Sequence, residues 1–301
     1  MYGGPIIDAH HHIWEMKNYA WLLAPMEPKL FGDYEPLRHD YSVDDLQDDF
    51  KNQNVVKSVH VQANWGPGSP VGETEWLQGV ADKAGFPHGI VAFADLTKPD
   101  EAEPLIEAHK QFANMRGIRH QTFWHDGETM WRACAGPKVA SSDDFKQGFK
   151  LVKKHGLSFD LQMFPFQAEQ LSSTCELLLE NPDTPVILCH AGMLPLHRPE
   201  MCDAWKAGLE RLSEFDNLWC KISGLALLSQ SWTVDQLRDV ILTAVDIFGI
   251  ERCVFGSNFP LERMWASYDE LLNGTKEAVA SLSADEQTAL FHDNAVKFYK
   301  V

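Results

Sequence analysis

Three consecutive histidines, His10, His11 and His12, follow Asp8 in the run IIDAHHHIW (residues 6–14), which is otherwise apolar enough for a buried strand. Because side chains alternate along a strand, Asp8, His10 and His12 are predicted to share one face, with the residues between them on the other. Two imidazoles one pleat apart can chelate one metal ion or grip one substrate carbonyl. His10 and His12 are therefore the first candidate site residues, with core histidines bonded to carbonyls as the alternative. We predict that His11 faces the surrounding helices and has a structural role.

Two later apolar runs also contain side chains that could bind a ligand or take part in catalysis. Residues 185–192, PVILCHAG, place His190 beside small residues that allow a tight turn. This gives a third candidate imidazole, with a structural histidine as the alternative. Lys221 lies inside LWCKISGL, where apolar neighbours argue against a solvated lysine. Two interpretations stay open for Lys221, a salt bridge to a buried acid such as Asp160 or a role in substrate binding.

Weaker candidates for substrate binding come from other strand ends. Their polar groups could orient an anionic or carbonyl-rich ligand, and they are Gln62, Arg119, His120 and Gln162, with His125 in a following loop.

The elements that must position these residues alternate regularly. Eight short apolar runs, rich in β-branched residues, are nearly all followed by segments with helical periodicity. The predicted strands are residues 6–14, 55–63, 89–96, 117–122, 157–164, 185–192, 218–225 and 252–259. Helix starts are predicted at Ser42, Ser141–Ser142 and Thr233, and helix ends at Gly85, Gly156 and Gly249.

This alternation predicts an α/β fold, a single (β/α)8 TIM barrel over residues 1–301. A doubly wound open sheet is the second choice, because the first strand lacks a glycine-rich phosphate fingerprint and polar residues cluster at many strand ends at once. Three stretches rich in Trp, Pro and Gly are predicted to form loops over the barrel mouth: 15–41, 64–75 and 123–140.

The composition restricts the classes of molecule that we expect the protein to bind. The 26 basic and 43 acidic residues give a formal charge of -17, without a local basic patch, which disfavours nucleic acid and anionic membranes. The six cysteines show no CxxC spacing, and no apolar stretch approaches a membrane span or export signal. We expect a cytoplasmic protein with reduced thiols and a small-molecule substrate, able to form a homo-oligomer.

A set of ordered motifs resembles one enzyme family along the whole chain. The motifs are DAHHHIW (8–14), VHVQA (59–63), GIR (117–119), HAG (190–192), KISGL (221–225), GSNFP (256–260) and DNAVKFY (293–299). Together they resemble the amidohydrolase superfamily, specifically the amidohydrolase-2 (amidohydrolase-related) TIM-barrel group that includes sugar lactonases and pyrone-dicarboxylate lactonase. The resemblance implies a hydrolase with its site at the C-terminal ends of the strands.

The eighth-strand motif departs from that family. Members usually carry an aspartate there, as general base and often as metal ligand, whereas this chain has Asn258. An amide cannot accept a proton at neutral pH, although its oxygen can accept a hydrogen bond. The fifth strand offers Gln162 in place of the bridging lysine or glutamate of binuclear members. Both departures argue against a binuclear metal centre.

Two mechanisms follow. In one, His10, His12 and His190 hold a single divalent ion, zinc, whose bound water ionises near neutral pH. In the other, which we favour because Asn258 replaces the usual aspartate, no metal is needed. The histidines and Lys221 then polarise the scissile carbonyl, and His120, His125 or Asp126 activates water.

The leading function is hydrolysis of a lactone, or a related cyclic ester or amide, of a small polar metabolite. Ring opening needs only a polarised carbonyl and one positioned water. The alternatives are a decarboxylase or hydratase of the same superfamily, and a barrel that has lost catalysis and binds a ligand.

Overall fold

The computed structural model describes residues 1–66 and 68–301 and forms the predicted (β/α)8 barrel. Eight parallel strands pair in chain order: β1 (Ile6–His11), β2 (Val55–Val61), β3 (Gly89–Ala92), β4 (Met115–Ile118), β5 (Ser158–Leu161), β6 (Val186–Leu188), β7 (Leu218–Ile222) and β8 (Cys253–Phe255). The barrel closes where the backbone N–H of His12 donates to Phe259 O at 2.7 Å. Most strands end earlier than their apolar runs, so the polar candidates lie at strand ends or in the following loops.

Helices follow the strands around the outside. The described residues form α1 (Ala20–Leu23), α2 (Val43–Phe50), α3 (Val71–Ala84), α4 (Pro99–His109), α5 (Asp143–Lys154), α6 (Ala168–Glu180), α7 (Cys202–Ser213), α8 (Val234–Phe248), α9 (Tyr268–Ala278), α10 (Ala284–Thr288) and α11 (Asn294–Tyr299). Short 3₁₀ turns include Leu261–Met264, which follows β8.

The residues predicted to begin and end helices make the hydrogen bonds, or adopt the backbone conformation, expected at those positions. Ser42, Ser142 and Thr233 accept hydrogen bonds from backbone N–H groups in the first turns of α2, α5 and α8. Such caps satisfy N–H groups that have no partner inside the helix. The glycines after α3, α5 and α8 have positive φ, the conformation that ends a helix: Gly85, Gly156 and Gly249.

The predicted alternation along β1 is wrong, because the strand contains an irregularity. Its pairing with β2 shifts register between Asp8 and His11, as in a β-bulge. Ile7 and Ala9 pack in the apolar cluster of the barrel interior. Asp8 instead accepts hydrogen bonds from Ser257 Oγ at 2.6 Å and from the hydroxyl of Tyr268 in α9. Asp8 and the two candidate histidines therefore do not share one face.

Two other features bear on the predictions from composition. All six cysteines are free thiols. Within residues 1–66 and 68–301, no helix combines the length and apolar character required to traverse a bilayer.

Candidate active site

A cavity of about 290 Å³ opens at the C-terminal ends of the strands. All three predicted mouth loops contribute to its wall, the first through Trp21 and Lys29, the second through Asn64, and the third through Arg132. Within the second loop, Pro67 lies outside the described residues. The floor of the cavity includes His12, His190 and Asn258. The chain thus brings distant candidate residues together at one opening.

His12 is held by a backbone carbonyl at the end of β2. Its Nδ1 lies 2.6 Å from Val61 O. A carbonyl oxygen can only accept, so Nδ1 carries the proton and Nε2 keeps a free lone pair. Burial, reinforced by the charge of Arg119, holds the pKa of His12 well below its usual value. His12 is therefore a neutral imidazole whose Nε2 lone pair is not used by the described part of the fold.

His190 lies in the tight turn after β6, where its φ of 58° is in the left-handed region. Its Nδ1 lies 2.9 Å from Ser223 Oγ. Burial lowers the pKa of His190 to about 3, so this imidazole is also neutral at physiological pH. Gly224 makes room for the ring, because a Cβ there would stand 2.5 Å from His190 Nδ1.

His10 lies beside these rings but does not line the cavity. Its ring centroid is 4.6 Å from that of His190 and 5.3 Å from that of His12. Both ring nitrogens are buried without a hydrogen-bond partner in the described residues. Burial, followed by the charge of Lys221, holds the pKa of His10 well below its usual value.

Lys221 is sealed beneath the cavity. It is 0% exposed, and its Nζ lies 2.5 Å from Asp160 Oδ2. The hydroxyl of Tyr299 donates to the same carboxylate at 3.0 Å, and Cys189 Sγ lies 3.8 Å away. Of the two predicted alternatives for Lys221, the structure contains the salt bridge and gives the ammonium no access to the cavity.

Arg119 and Gln162 do line the cavity. The Arg119 guanidinium donates to the backbone oxygen of Gln62, and its Nε is buried without an acceptor among the described residues. Gln162 Oε1 accepts from Gln121 at 3.0 Å. The Gln62 side chain caps Asn64 N at 2.7 Å and does not line the cavity.

The predicted water-activating candidates face elsewhere. His120 accepts from Leu96 N at 3.1 Å and packs against Phe93 and Phe145. His125 accepts from the backbone N–H groups of Gly127 and Glu128 within its own loop. Asp126 accepts from Trp124 Nε1 at 3.1 Å in the same loop. None of the three side chains lines the cavity.

Asn258 follows β8 with φ of 63°, a conformation that asparagine tolerates better than most residues. Its backbone N–H donates to His10 O at 2.7 Å, which places the Asn258 backbone beside the end of β1. Its Nδ2 is buried without an acceptor among the described residues.

Sequence reasoning missed several groups. Lys29 and Arg132 sit on long loops, where no periodicity indicates which side chains turn inward. Glu73 and Glu262 are buried acids, and burial raises the pKa of each to about 7. Glu262 carries a usable signal, because it is an acid four residues after the missing aspartate. Among the described cavity-lining residues there are three cations and no aspartate or glutamate.

The candidate metal ligands do not fit a divalent ion in this arrangement. The ligand nitrogens of His10, His12 and His190 do not all lie within 4.8 Å of one another. His10, Asp160 and Cys189 do meet that distance, but the Lys221 ammonium already neutralises Asp160. Burial also raises the pKa of Cys189 to about 12, which keeps it a thiol. A dication would thus find imidazoles and positive charge without a free carboxylate.

Comparisons with known proteins agree with the family resemblance seen in the sequence. The chain matches the amidohydrolase family over residues 7–301. It is 42% identical over 299 residues to the uncharacterized protein y4mH of Sinorhizobium fredii, with 98% of each chain covered. It is 28% identical to an L-fucono-1,5-lactonase of Burkholderia multivorans, over 97% of this chain and 95% of that one.

A solved structure supports the same relationship. An amidohydrolase from Burkholderia multivorans with bound zinc superposes with a TM-score of 0.81 at 26% identity, covering 99% of this chain and 100% of that one. Because the family match spans almost the entire sequence, the chain belongs to the amidohydrolase family and is a hydrolase.

Proposed function

We propose that this protein opens the lactone ring of a small acidic metabolite by water attack, without a metal ion. The observation that carries the proposal is the composition of the cavity. It combines neutral imidazoles with a guanidinium that has no carboxylate partner among the described residues. A carbonyl can be polarised and a water deprotonated with these groups alone.

Each group has a distinct part in the proposed step. Arg119 donates to the carbonyl oxygen of the lactone and stabilises the negative charge that develops on it. Water attacks the carbonyl carbon and gives a proton to His12 Nε2, the nitrogen left free by the bond to Val61. The ring C–O bond then breaks, and the protonated His12 returns the proton to the leaving alkoxide. His190, across the floor, completes the polar surface around the attacking water.

An acidic substrate is favoured by the cavity charges. Lys29, Arg119 and Arg132 line the cavity of a chain whose formal charge is -17. Cations concentrated in one cleft attract an anion even when the protein as a whole is acidic. A lactone that also bears a carboxylate would pair its carboxylate with Lys29 or Arg132 while its ring carbonyl meets Arg119.

The names of the relatives support a lactone, and one related structure contains a metal. The Burkholderia multivorans relative is an L-fucono-1,5-lactonase, which acts on a sugar-acid lactone, and a solved amidohydrolase structure from that species contains zinc. For this chain, the arrangement of His10, His12 and His190 and the pairing of Asp160 favour the metal-free route.

The test is a panel of neutral sugar-acid lactones and carboxylate-bearing lactones, followed by proton release at constant pH. We expect turnover of lactones, with the higher kcat/KM for those that carry a carboxylate. Release of carbon dioxide from a carboxylated ligand without ring opening would point to a decarboxylase instead. Binding of these ligands without any turnover would identify a non-catalytic barrel.

A further inference from the structure

A buried carboxylate stands directly behind the amide that replaces the family's aspartate. Glu262 belongs to the turn Leu261–Met264, and it is 0% exposed. Its backbone N–H points to Asn258 O at 3.4 Å, so the two residues occupy one turn. Burying a carboxyl group is unfavourable unless it gains hydrogen bonds or charge partners, so its presence here needs an explanation.

The two oxygens of Glu262 differ in their partners. Oε2 accepts from Trp265 Nε1 at 2.7 Å. Oε1 is buried and has no donor among the described residues, while the neighbouring Asn258 Nδ2 is buried and has no acceptor there. An unused acceptor and an unused donor thus belong to adjacent side chains. The Asn258 amide already lowers the pKa of the Glu262 carboxyl against the larger opposing effect of burial.

The surroundings leave the amide as the natural partner for this carboxyl. The small space beside Glu262 is walled by Trp232, Leu237 and Leu271, and by the backbone around Gly224. None of the described residues that line it is a lysine or arginine, and its two hydroxyl groups already have partners, Ser223 in His190 Nδ1 and Thr275 in Leu271 O.

We propose that Glu262 is a positioning residue for the hydrolytic water, acting through Asn258. Its Oε1 accepts the Nδ2–H of Asn258 and so directs Asn258 Oδ1 into the cavity, where this oxygen accepts a hydrogen bond from the attacking water. The inference rests on the proposed hydrolysis. In this chain the carboxylate lost from position 258 has a substitute one turn later, and the proton of the water goes to an imidazole rather than to an acid.

The test exchanges the two groups. Glu262→Gln presents an amide to Asn258 and is expected to lower kcat by about 10- to 100-fold with KM nearly unchanged, because Glu262 does not touch the substrate. Asn258→Asp is also expected to lower kcat, because two facing buried carboxyls cannot both ionise freely. The double variant Asn258→Asp with Glu262→Gln restores a single carboxylate held by an amide. Its kcat is expected to recover to within about tenfold of the wild type.

Controls separate this role from a structural one. Glu277→Gln removes an exposed acid in α9 and is expected to leave kcat, KM and stability unchanged. The proposal is overturned if Glu262→Gln folds and keeps full kcat. It is also overturned if that variant loses activity together with stability and the double variant does not recover. Should Glu262→Gln fail to fold, a poorly active double variant that folds would contradict the proposal equally well.

A measurement without substrate separates this inference from the proposed function. In protein labelled with ¹⁵N-asparagine, the side-chain amide protons of Asn258 are expected to shift upfield in Glu262→Gln, because the bond to a carboxylate is lost. Absence of lactone turnover in the wild type would overturn the proposed function while leaving this shift as the evidence on the pair. An unchanged amide resonance would overturn the pairing itself, whatever the activity.

Discussion

Lys221 and Arg119 are both cations buried inside the barrel, but their partners differ. Lys221 lies beneath the cavity with a carboxylate at 2.5 Å, and that carboxylate also receives the hydroxyl of Tyr299. Arg119 lies at the cavity and, among the described residues, donates to a backbone oxygen while its Nε has no acceptor. One charge is neutralised within the fold, and the other remains available to a ligand.

The difference shows that burial of a charged residue does not by itself indicate function. A buried ion pair can be removed as a unit with little loss of stability, whereas a single buried charge left without its partner is strongly destabilising. Unsatisfied polar atoms are a further guide, because Arg119 and Asn258 each have one and both line the cavity. Such atoms also occur in residues that do not line it, for example His88 and Thr174, so they indicate function only together with a cavity. Variants of the two cations should therefore fail in different ways.

The largest expected effect is a loss of stability when Lys221, the cation beneath the cavity, is replaced. Lys221→Met leaves Asp160 buried and charged, and should lower the free energy of unfolding by about 3–5 kcal/mol. Urea unfolding measures this loss. The double variant Lys221→Met with Asp160→Asn removes both charges and should recover most of it. A stable but inactive Lys221→Met would show instead that the ammonium takes part in the reaction.

Replacing His190, an imidazole that lines the cavity, should lower the rate of the reaction and leave the stability of the fold nearly unchanged. His190→Asn suits this test because asparagine tolerates the left-handed backbone at φ 58°. We expect kcat to fall about 100-fold, because the attacking water loses one of the polar groups that hold it in place. The unfolding midpoint in urea should stay close to that of the wild type. A mild change in kcat would place the reaction elsewhere.

Replacing Arg119, the cation at the cavity, should lower the rate at which lactones are hydrolysed. Arg119→Met keeps most of the side-chain length and should reduce kcat/KM by about 100-fold, through the lost charge-assisted hydrogen bonds. The matched control is Arg116→Met in β4, the strand that Arg119 directly follows, because Arg116 donates to Ala113 O and Met115 O and does not line the cavity. An equal loss in both variants would remove the special role of Arg119.

Acid should destabilise the protein because its buried histidines are neutral. Burial lowers the pKa of His11 and His190 to about 3 and of His109 to about 4, below the value in the unfolded chain. The unfolded state then binds more protons, and stability falls as pH drops below the unfolded pKa. Each such histidine should cost about 2 kcal/mol between about pH 6.5 and about pH 5.

Buried acids oppose this trend. Burial raises the pKa of Asp8 to about 6 and of Glu73 and Glu262 to about 7, so their contributions to stability are present at low pH and are lost as pH rises through those values. Urea unfolding across the same pH range measures the net slope, and His11→Asn should make the slope shallower. A slope in His11→Asn that equals that of the wild type would contradict the neutral, buried state of His11.

The smallest expected effect concerns the loop that carries Trp21. The hydroxyl of Tyr19 donates to buried Glu73 at 2.9 Å, and Ala63 N donates to the same oxygen. Tyr19→Phe should lower stability by about 1 kcal/mol and raise KM severalfold, because this bond ties the loop to the cavity wall. Tyr2→Phe, which loses a comparable bond to Pro5 O far from the cavity, is the control for KM.

The sequence predicts the fold better than it predicts which partners the buried polar groups find. Regular βα alternation, serine and threonine caps and terminal glycines are local signals, and the barrel and its helix ends follow from them. The bulge between Asp8 and His11 breaks the period of two on which the prediction of faces relied. The partner of Lys221 lies 61 residues away, so its identity depends on tertiary structure. The inward turn of Lys29 and Arg132 depends on loop conformation in the same way.

The most direct test of the central claim is the rate of lactone hydrolysis before and after exhaustive chelation, with elemental analysis of the same sample. If neutral imidazoles and Arg119 perform the reaction, the chelated protein should contain substoichiometric metal and keep its rate within about twofold. A rate that disappears on chelation and returns with added zinc would contradict the account.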